Sequence, residues 1–152
     1  MPDGKVHVAA AIVALLPSGM TAMGASCYGW SPTAVAVIAY LVGTVWLSPD
    51  LDLVSQPYMA WGPFKLIWWP YMKLVPHRGW LSHGPIVGTL ARIAVLVIYT
   101  SIVTAVLVFL GVVTPPEVQK ALRIDLWIPV AILVGLEVSA TVHIALDKLL
   151  KN

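Results

Sequence analysis

Four histidines and three aspartates in this chain have residue types and spacings that are typical of metal ligands. The residues that could act together are His7, Asp50, Asp52, His77, His83, His143 and Asp147. Imidazole and carboxylate ligands without a thiolate suit zinc, manganese, iron or nickel, and they disfavour copper(I) or an iron–sulfur cluster. The sequence therefore points to the binding of a divalent transition metal.

The first motif is the pair Asp50 and Asp52, which follows an apolar run and the dipeptide Ser48-Pro49. Both carboxylates can point at one cation if the backbone is extended after the proline. The ordinary alternative is a solvated helix end, because an isolated Asp-x-Asp is a weak motif. The pair indicates a metal site only in combination with the histidines elsewhere in the chain.

The second motif contains His77 and His83, six residues apart, with Gly79 between them to permit a turn. Pro85 follows and is expected to start the next helix. Such a segment can fold both imidazole rings onto one ion. Arg78 would serve an anionic ligand such as a phosphate, because its guanidinium donates hydrogen bonds in a fixed fork. Alternatively, Arg78 is only a topology signal and the histidines are interfacial rings.

The third motif is His143 and Asp147, which are four residues apart and so share one face of a helix. Both could bind metal, Asp147 could orient the ring of His143, or the two could form a simple hydrogen bond on the helix surface. Glu137 lies six residues earlier and about 120° around the helix. An ionisable group at that depth in a membrane should face the protein interior.

The whole chain is strongly apolar, with 59% hydrophobic and 11% charged residues and a mean hydropathy of +0.88. A soluble domain carries about 25% charged residues, so this composition indicates an integral membrane protein. Four apolar stretches approach the roughly 20 residues that a membrane helix needs: 8–26, 30–47, 85–111 and 127–147. We therefore predict one all-α membrane domain, residues 1–152, with four transmembrane helices. A signal peptide is the alternative for the first stretch.

The basic residues predict the orientation of these helices. One side of the membrane would hold Lys5, Lys65, Lys73, Arg78, Lys148, Lys151 and a snorkelling Arg92, whereas the other would hold only Lys120 and Arg123. This asymmetry places both termini and the 48–84 loop in the cytoplasm of a bacterium, at the inner membrane. All the histidines and aspartates named above then lie at the same cytoplasmic membrane face.

The 48–84 loop is far longer than a helix connection requires, and loops of this length usually carry function or their own structure. It contains six large aromatic residues, namely Tyr58, Trp61, Trp68, Trp69, Tyr71 and Trp80. Lys65 and Lys73 flank the aromatic cluster, which predicts a short helix lying in the membrane interface with its rings among the lipid headgroups. A lid over a lipid headgroup or a substrate is the alternative.

Taken together, the motifs resemble a family of bacterial metal-binding integral membrane proteins, related to the LexA-binding, inner-membrane-associated metal-dependent hydrolases. The resemblance covers nearly the whole chain and is most specific between Trp61 and Gly88. It implies metal ligands at His7, Asp50, Asp52, His77, His83, His143 and Asp147. The chain departs from the hydrolase pattern after Gly79, because three residues precede His83 instead of two, and Gly84 stands where that pattern has a serine.

Four imidazoles and three carboxylates are more ligands than one tetrahedral zinc can use. They fit two metals about 3.5–4 Å apart, or one metal with further residues that orient its ligands. We therefore predict a metal-dependent hydrolase of phosphoester or lipid-type substrates, with Arg78 as a catalytic residue that stabilises a phosphoryl oxyanion.

The alternative is a non-catalytic metal-binding or metal-transport membrane protein. An ion path across a membrane needs polar residues at mid-bilayer depth, and few are available in these apolar stretches. Nucleic-acid binding is not expected, because the basic residues are few and scattered. The expected partners are the lipid bilayer and a phosphoester presented at the membrane surface.

Overall fold

A computed structural model of the protein describes residues 24–25 and 27–149. These residues form helices and no strands, which confirms the all-α class for this part of the chain. His7 and all but two residues of the predicted 8–26 stretch lie outside the described residues. The helices are α1 (Trp30–Val45), α2 (Gln56–Ala60), α3 (Trp69–Leu74), α4 (Trp80–His83), α5 (Val87–Phe109), α6 (Pro115–Ala121) and α7 (Trp127–Leu149), and two 3₁₀ helices span Pro49–Asp52 and Gly62–Trp68.

Within the described residues, three helical runs have the length and apolar composition to cross a membrane: Trp30–Asp52, Val87–Phe109 and Trp127–Lys148. The first run combines α1 with the 3₁₀ helix that follows it. These runs correspond to three of the four stretches that the sequence predicts. The 8–26 stretch stays a prediction.

Helices α1 and α7 pack closely because small residues meet at their contact. A Cβ atom on Gly43 would lie 2.9 Å from the Cβ atom of Ser139, and a Cβ on Gly135 would lie 2.8 Å from that of Ala39. The hydroxyls of Thr44 and Ser139 share a hydrogen bond of 3.0 Å between the helices. Small residues let helix backbones approach closely in membrane proteins. The order of these contacts makes the two helices parallel, so their C-terminal ends lie together.

The loop between α1 and α5 folds into a layer with its own apolar core, formed by Leu51, Tyr58, Trp68, Tyr71 and Val75. The prediction of one short interfacial helix with its rings in the headgroups is wrong, because this layer contains several short helices and buries some of the rings. Trp68 is completely buried, whereas its neighbour Trp69 is 56% exposed. Prolines in the first turn of α2, the second 3₁₀ helix and α3 divide the chain into short helices. These short helices can turn some rings inward and leave others outside.

Helix α5 begins at Val87, not at Pro85 as the sequence predicts. The chain turns at Ile86, whose φ of 62° is left-handed and unfavourable for a β-branched residue. Such strain costs about 1–3 kcal/mol and persists only where surrounding contacts hold it. Here the backbone N–H of Ile86 donates a 2.8 Å hydrogen bond to Oε1 of Glu137 on α7. This interhelical bond explains why the helix starts later than predicted.

Candidate metal centre

Asp50 and Asp52 lie in the 3₁₀ helix that Pro49 begins, so the extended backbone that would point both carboxylates at one cation is not formed. The ring of proline already has a φ that suits the start of a helix. A 3₁₀ helix has three residues per turn, so two side chains that are two residues apart point in different directions. The two carboxylates consequently face two overlapping sets of histidines: Asp52 faces His77 and His83, and Asp50 faces His83 and His143.

The Asp52 side chain is completely buried and faces His77. The Nδ1 atom of His77 lies 3.0 and 3.1 Å from the two carboxylate oxygens, which places the ring edge across the carboxylate. The backbone N–H of Arg78 also donates to this carboxylate, at 3.4 Å.

Arg78 has a left-handed φ of 60°, so the sharp turn between the two histidines falls there and not at the predicted Gly79. Gly79 instead avoids a clash, because a Cβ would lie 2.8 Å from the carbonyl oxygen of Pro76.

Asp50 lies between two other histidines. Its Oδ2 atom is 3.3 Å from Nε2 of His143, and its Oδ1 atom is 3.6 Å from Nε2 of His83. Each ring has a hydroxyl on its other nitrogen, because Ser82 Oγ lies 3.0 Å from Nδ1 of His83 and Ser48 Oγ lies 3.5 Å from Nδ1 of His143. The Nε2 atoms of both rings are therefore directed at one carboxylate.

The cluster contains two overlapping groups whose ligand atoms lie within 4.8 Å of one another. One group comprises Asp50, His83, His143 and Asp147, and the other comprises Asp52, His77 and His83. The structure thus brings together six of the seven predicted ligands, and His83 belongs to both groups. The seventh, His7, lies outside the described residues. Arg78 borders the cluster, because its Nη2 atom donates to Oδ2 of Asp147 at 3.4 Å.

The environment of His83 tests whether this cluster fits a metal ion. Its Nε2 atom is buried and has no hydrogen-bond partner. Ser82 Oγ can donate its one proton to the Gly79 carbonyl oxygen, 3.1 Å away. In that arrangement Ser82 Oγ accepts a hydrogen bond from Nδ1–H of His83, and Nε2 of His83 carries a lone pair. That lone pair then faces a carboxylate oxygen of Asp50 at 3.6 Å. Two facing acceptors are stabilised by a cation between them, which a metal ion would supply, as would a proton on the ring.

The separation between these two acceptors also agrees with metal binding. A nitrogen and an oxygen bound to one tetrahedral zinc at about 2.0–2.2 Å lie about 3.4 Å apart. The two Nε2-to-carboxylate distances at Asp50 are 3.3 and 3.6 Å, one on each side of that value. The residues therefore fit a divalent transition metal ion in both chemistry and spacing.

Several polar residues that hold this cluster were not predicted from the sequence. Ser48 and Ser82 carry the hydroxyls beside His143 and His83. Their positions next to the Asp-x-Asp and His motifs were the only sign in the sequence that they could take part in the site.

Arg92 was predicted to snorkel to the water, but it is only 2% exposed. It donates instead to the Ser82 carbonyl oxygen at 2.9 Å, because the folded layer covers this end of α5.

Glu137 faces the protein interior as the sequence predicts. Its carboxylate accepts hydrogen bonds from the Ile86 backbone at 2.8 Å and from the Thr89 hydroxyl at 2.7 Å. No local pattern in the sequence connects Glu137 with His83. That connection depends on α5 and α7 meeting at these positions.

Comparison with known proteins agrees with a metal centre. The sequence profile of one protein family, described as "Uncharacterized metal-binding protein" (DUF2227), matches residues 2–152. An "Uncharacterized protein" of Aquifex aeolicus (strain VF5) is 46% identical over 57 residues, which are 37% of this chain and 40% of that protein. The match therefore spans less than half of the length of this relative. No solved structure matches the chain.

Proposed function

Because the chain belongs to the DUF2227 family of metal-binding proteins, we propose that its histidine and aspartate cluster binds a divalent transition metal ion. The ligands that we assign are Asp50, His83, His143 and Asp147, with Asp52 and His77 either orienting them or holding a second ion. The observation that carries the proposal is the buried Nε2 atom of His83, which has no hydrogen-bond partner and faces Asp50.

The ligand types narrow the choice of metal. Mixed nitrogen and oxygen donors without sulfur suit zinc, manganese, iron or nickel. Asp50 presents one oxygen to each of two histidines, so it can hold a single ion or bridge a pair of ions. The molar ratio of metal to purified protein distinguishes a single ion from a pair.

We further propose that the protein is a metal-dependent hydrolase of phosphoester or lipid-type substrates. A metal ion at this site would supply a bound water that ionises near neutral pH. Arg78 would orient the substrate, because its side chain is 35% exposed and has donors beyond the one that faces Asp147. A guanidinium fork matches the oxygens of a phosphate group. This part of the proposal rests on the motif resemblance to inner-membrane metal-dependent hydrolases.

The proposed location is the cytoplasmic face of a bacterial inner membrane. The site lies where α1 and α7 both end, and both belong to the three runs that, among the described residues, are long and apolar enough to cross a bilayer. Lys65, Lys73 and Arg78 belong to the layer on this side, which agrees with the positive-inside rule. A phosphoester at the membrane surface would then be within reach of the cluster.

Transport of a metal ion is the less favoured alternative. Among the described residues, the polar side chains between α1 and α7 are bonded to each other, as Thr44 is to Ser139 at 3.0 Å. Glu137 is likewise occupied by Ile86 and Thr89. Within the described part of the chain, these hydrogen bonds occupy polar groups next to the cluster that would otherwise be available to pass an ion on. A surface site explains the arrangement better.

The test is metal analysis of the detergent-purified full-length protein, followed by binding titrations. The native protein should hold zinc, manganese, iron or nickel stoichiometrically, and His83→Ala should lose most of it. Asp125→Ala is the matched control, because Asp125 is an exposed carboxylate just before α7, at its opposite end from Asp147.

Native protein that holds no stoichiometric metal after any mild purification would overturn the metal site. Full metal occupancy with no turnover across a phosphoester panel would overturn the hydrolase and leave a binding protein.

A further inference from the structure

A chain of hydrogen bonds connects α7 with the short helix that carries His83. Glu137 Oε2 accepts from the Thr89 hydroxyl at 2.7 Å, and Thr89 Oγ1 in turn accepts from Nη2 of Arg92 at 3.1 Å. Nη1 of the same guanidinium donates to the carbonyl oxygen of Ser82 at 2.9 Å. The connection thus reaches the residue immediately before His83.

Two of these three side chains, Thr89 and Arg92, are buried where an unsatisfied polar group would be costly. Thr89 and Arg92 are each 2% exposed, and Arg92 lies within an apolar helix. A buried charge needs hydrogen bonds and a partner to remain in such a place. Arg92 has both, because it bonds to Ser82 and Thr89 and lies near the carboxylate of Glu137. The network is therefore rigid, because moving one member leaves another unsatisfied.

The short helix α4 is held at two adjacent carbonyl groups. Arg92 holds the carbonyl oxygen of Ser82, and the Tyr71 hydroxyl donates to that of Leu81 at 2.9 Å. Burial raises the pKa of Tyr71, so the hydroxyl keeps its proton for this bond. A helix of four residues has little stability of its own. Its position must therefore come from these side chains of α3 and α5.

Glu137 adds the link to the other half of the metal cluster. It lies on α7, the helix that carries His143 and Asp147, and it also fixes the strained Ile86 at the start of α5. The distance between His83 and His143 thus depends on how Glu137 holds α5 against α7. The ring centroids of these two histidines are 6.1 Å apart.

We infer that Glu137, Thr89 and Arg92 are positioning residues that place His83 opposite Asp50 and His143, an inference that rests on the proposed metal site. None of the three contacts the ion. They act through the backbone of Ser82 and through the spacing of α5 and α7. Their loss should change the geometry of the site as well as the stability of the fold.

Thr89 provides the cleanest pair of variants. Thr89→Val keeps the shape of the side chain but removes the hydroxyl between Glu137 and Arg92, whereas Thr89→Ser keeps the hydroxyl. We expect Thr89→Val to weaken Co²⁺ binding about 10-fold, as removal of an orienting partner does, with the stoichiometry unchanged. Its visible Co²⁺ spectrum per bound ion should also change. Thr89→Ser should retain the native affinity and spectrum.

Ser139→Ala is the control for a purely structural effect. It removes a buried interhelical hydrogen bond from the same helix, α7, but this bond has no link to the His83 segment. A loss of fold stability alone would lower the number of sites without altering the spectrum of the sites that remain. We expect that behaviour from Ser139→Ala, and a native spectrum with native affinity in Thr89→Val would overturn the positioning role.

Hydrogen exchange of the metal-free protein separates this inference from the metal site itself. Thr89→Val should speed exchange of backbone amides in 79–88 and leave those in 56–72 unchanged. Native protein that binds no Co²⁺ would overturn the proposed function. The hydrogen-exchange rates in 79–88 would still test the hydrogen-bond network, because they are measured without metal. Unchanged exchange in 79–88 would overturn the network as the support of His83. Glu137→Gln should give the same pattern as Thr89→Val in both measurements.

Discussion

Asp52 spans the edge of the His77 ring, with Nδ1 of the imidazole 3.0 and 3.1 Å from its two carboxylate oxygens. The carboxylate is completely buried, whereas the side chain of His77 is 37% exposed. A buried carboxylate that accepts Nδ1–H fixes both the tautomer and the direction of the ring. Nε2 of His77 is then the nitrogen that carries the lone pair. Asp52 thus orients the ring of His77, whereas Asp50 faces His83 and His143.

This difference predicts an unequal effect of two matched substitutions. Asp52→Asn should weaken metal binding by about 10- to 100-fold, as expected for loss of an orienting partner. Asp50→Asn should weaken it more, because it removes the charge that faces both His83 and His143. Competition titration against a chelator of known affinity measures both. The assignment of roles would be wrong if Asp52→Asn proved the more damaging of the two.

Arg78 is predicted to act on the substrate and not on the metal. Arg78→Lys should lower kcat/KM for a phosphoester about 10- to 100-fold, because lysine keeps the charge but loses the fork worth about 1.5–3 kcal/mol. Metal affinity should remain close to native, since lysine keeps a cation that can contact Asp147 and the backbone N–H that donates to Asp52 is retained. Parallel steady-state kinetics and metal titrations distinguish the two effects. A large drop in metal affinity would instead show that Arg78 supports the ligands.

Arg78→Gly gives a complementary prediction about the backbone. Glycine adopts the left-handed φ of 60° at this position without steric cost, so this variant should be more stable to unfolding by up to about 1 kcal/mol. It should lose phosphoester turnover together with the guanidinium. Denaturation in detergent reports the stability. A less stable Arg78→Gly protein would show that the Arg78 contact with Asp147 outweighs the backbone strain.

Trp68 and Trp69 are adjacent but should differ greatly in their contribution to stability. Trp68 is completely buried, with its ring 5.3 Å from that of Trp61 and 5.8 Å from that of Tyr71, both edge-on. Trp68→Ala should cost about 3–5 kcal/mol of unfolding free energy, as large-to-small changes in a core do. Trp69→Ala should cost much less, because Trp69 is 56% exposed. Equal losses in a detergent unfolding experiment would contradict the core described for this layer.

Membrane topology can be tested with single cysteines, because Cys27 is the only native cysteine. In a Cys27→Ser background, a cysteine at residue 60 should react only from the cytoplasm, and one at residue 115 only from outside. Both positions are exposed. A reporter fused to the C-terminus should be cytoplasmic. Labelling of residue 60 from outside would overturn the predicted orientation and place the metal cluster on the other face.

The sequence predicted the composition of the cluster better than its geometry. Residue type and helical spacing were enough to select His143 and Asp147, because the four-residue spacing fixes one face of a helix. Asp50 and Asp52 were expected to point at one cation only if the backbone is extended after the proline, and Pro49 instead begins a 3₁₀ helix, which the proline permits but does not require. The hydrogen bonds of Arg92 and Glu137 join residues of different helices. Such contacts depend on packing, which local patterns in a single sequence do not reveal.

The two halves of the cluster differ in how far apart their residues lie along the chain. Asp52 and His77 are 25 residues apart, whereas Ser48 and His143 are 95 residues apart. Closing a long loop costs more entropy than closing a short one, and the chain emerges from the ribosome in order. The Asp52 half can therefore assemble during synthesis, before α7 exists. The cluster is completed only by α7, so a nascent chain that has not yet reached this helix lacks both His143 and Asp147.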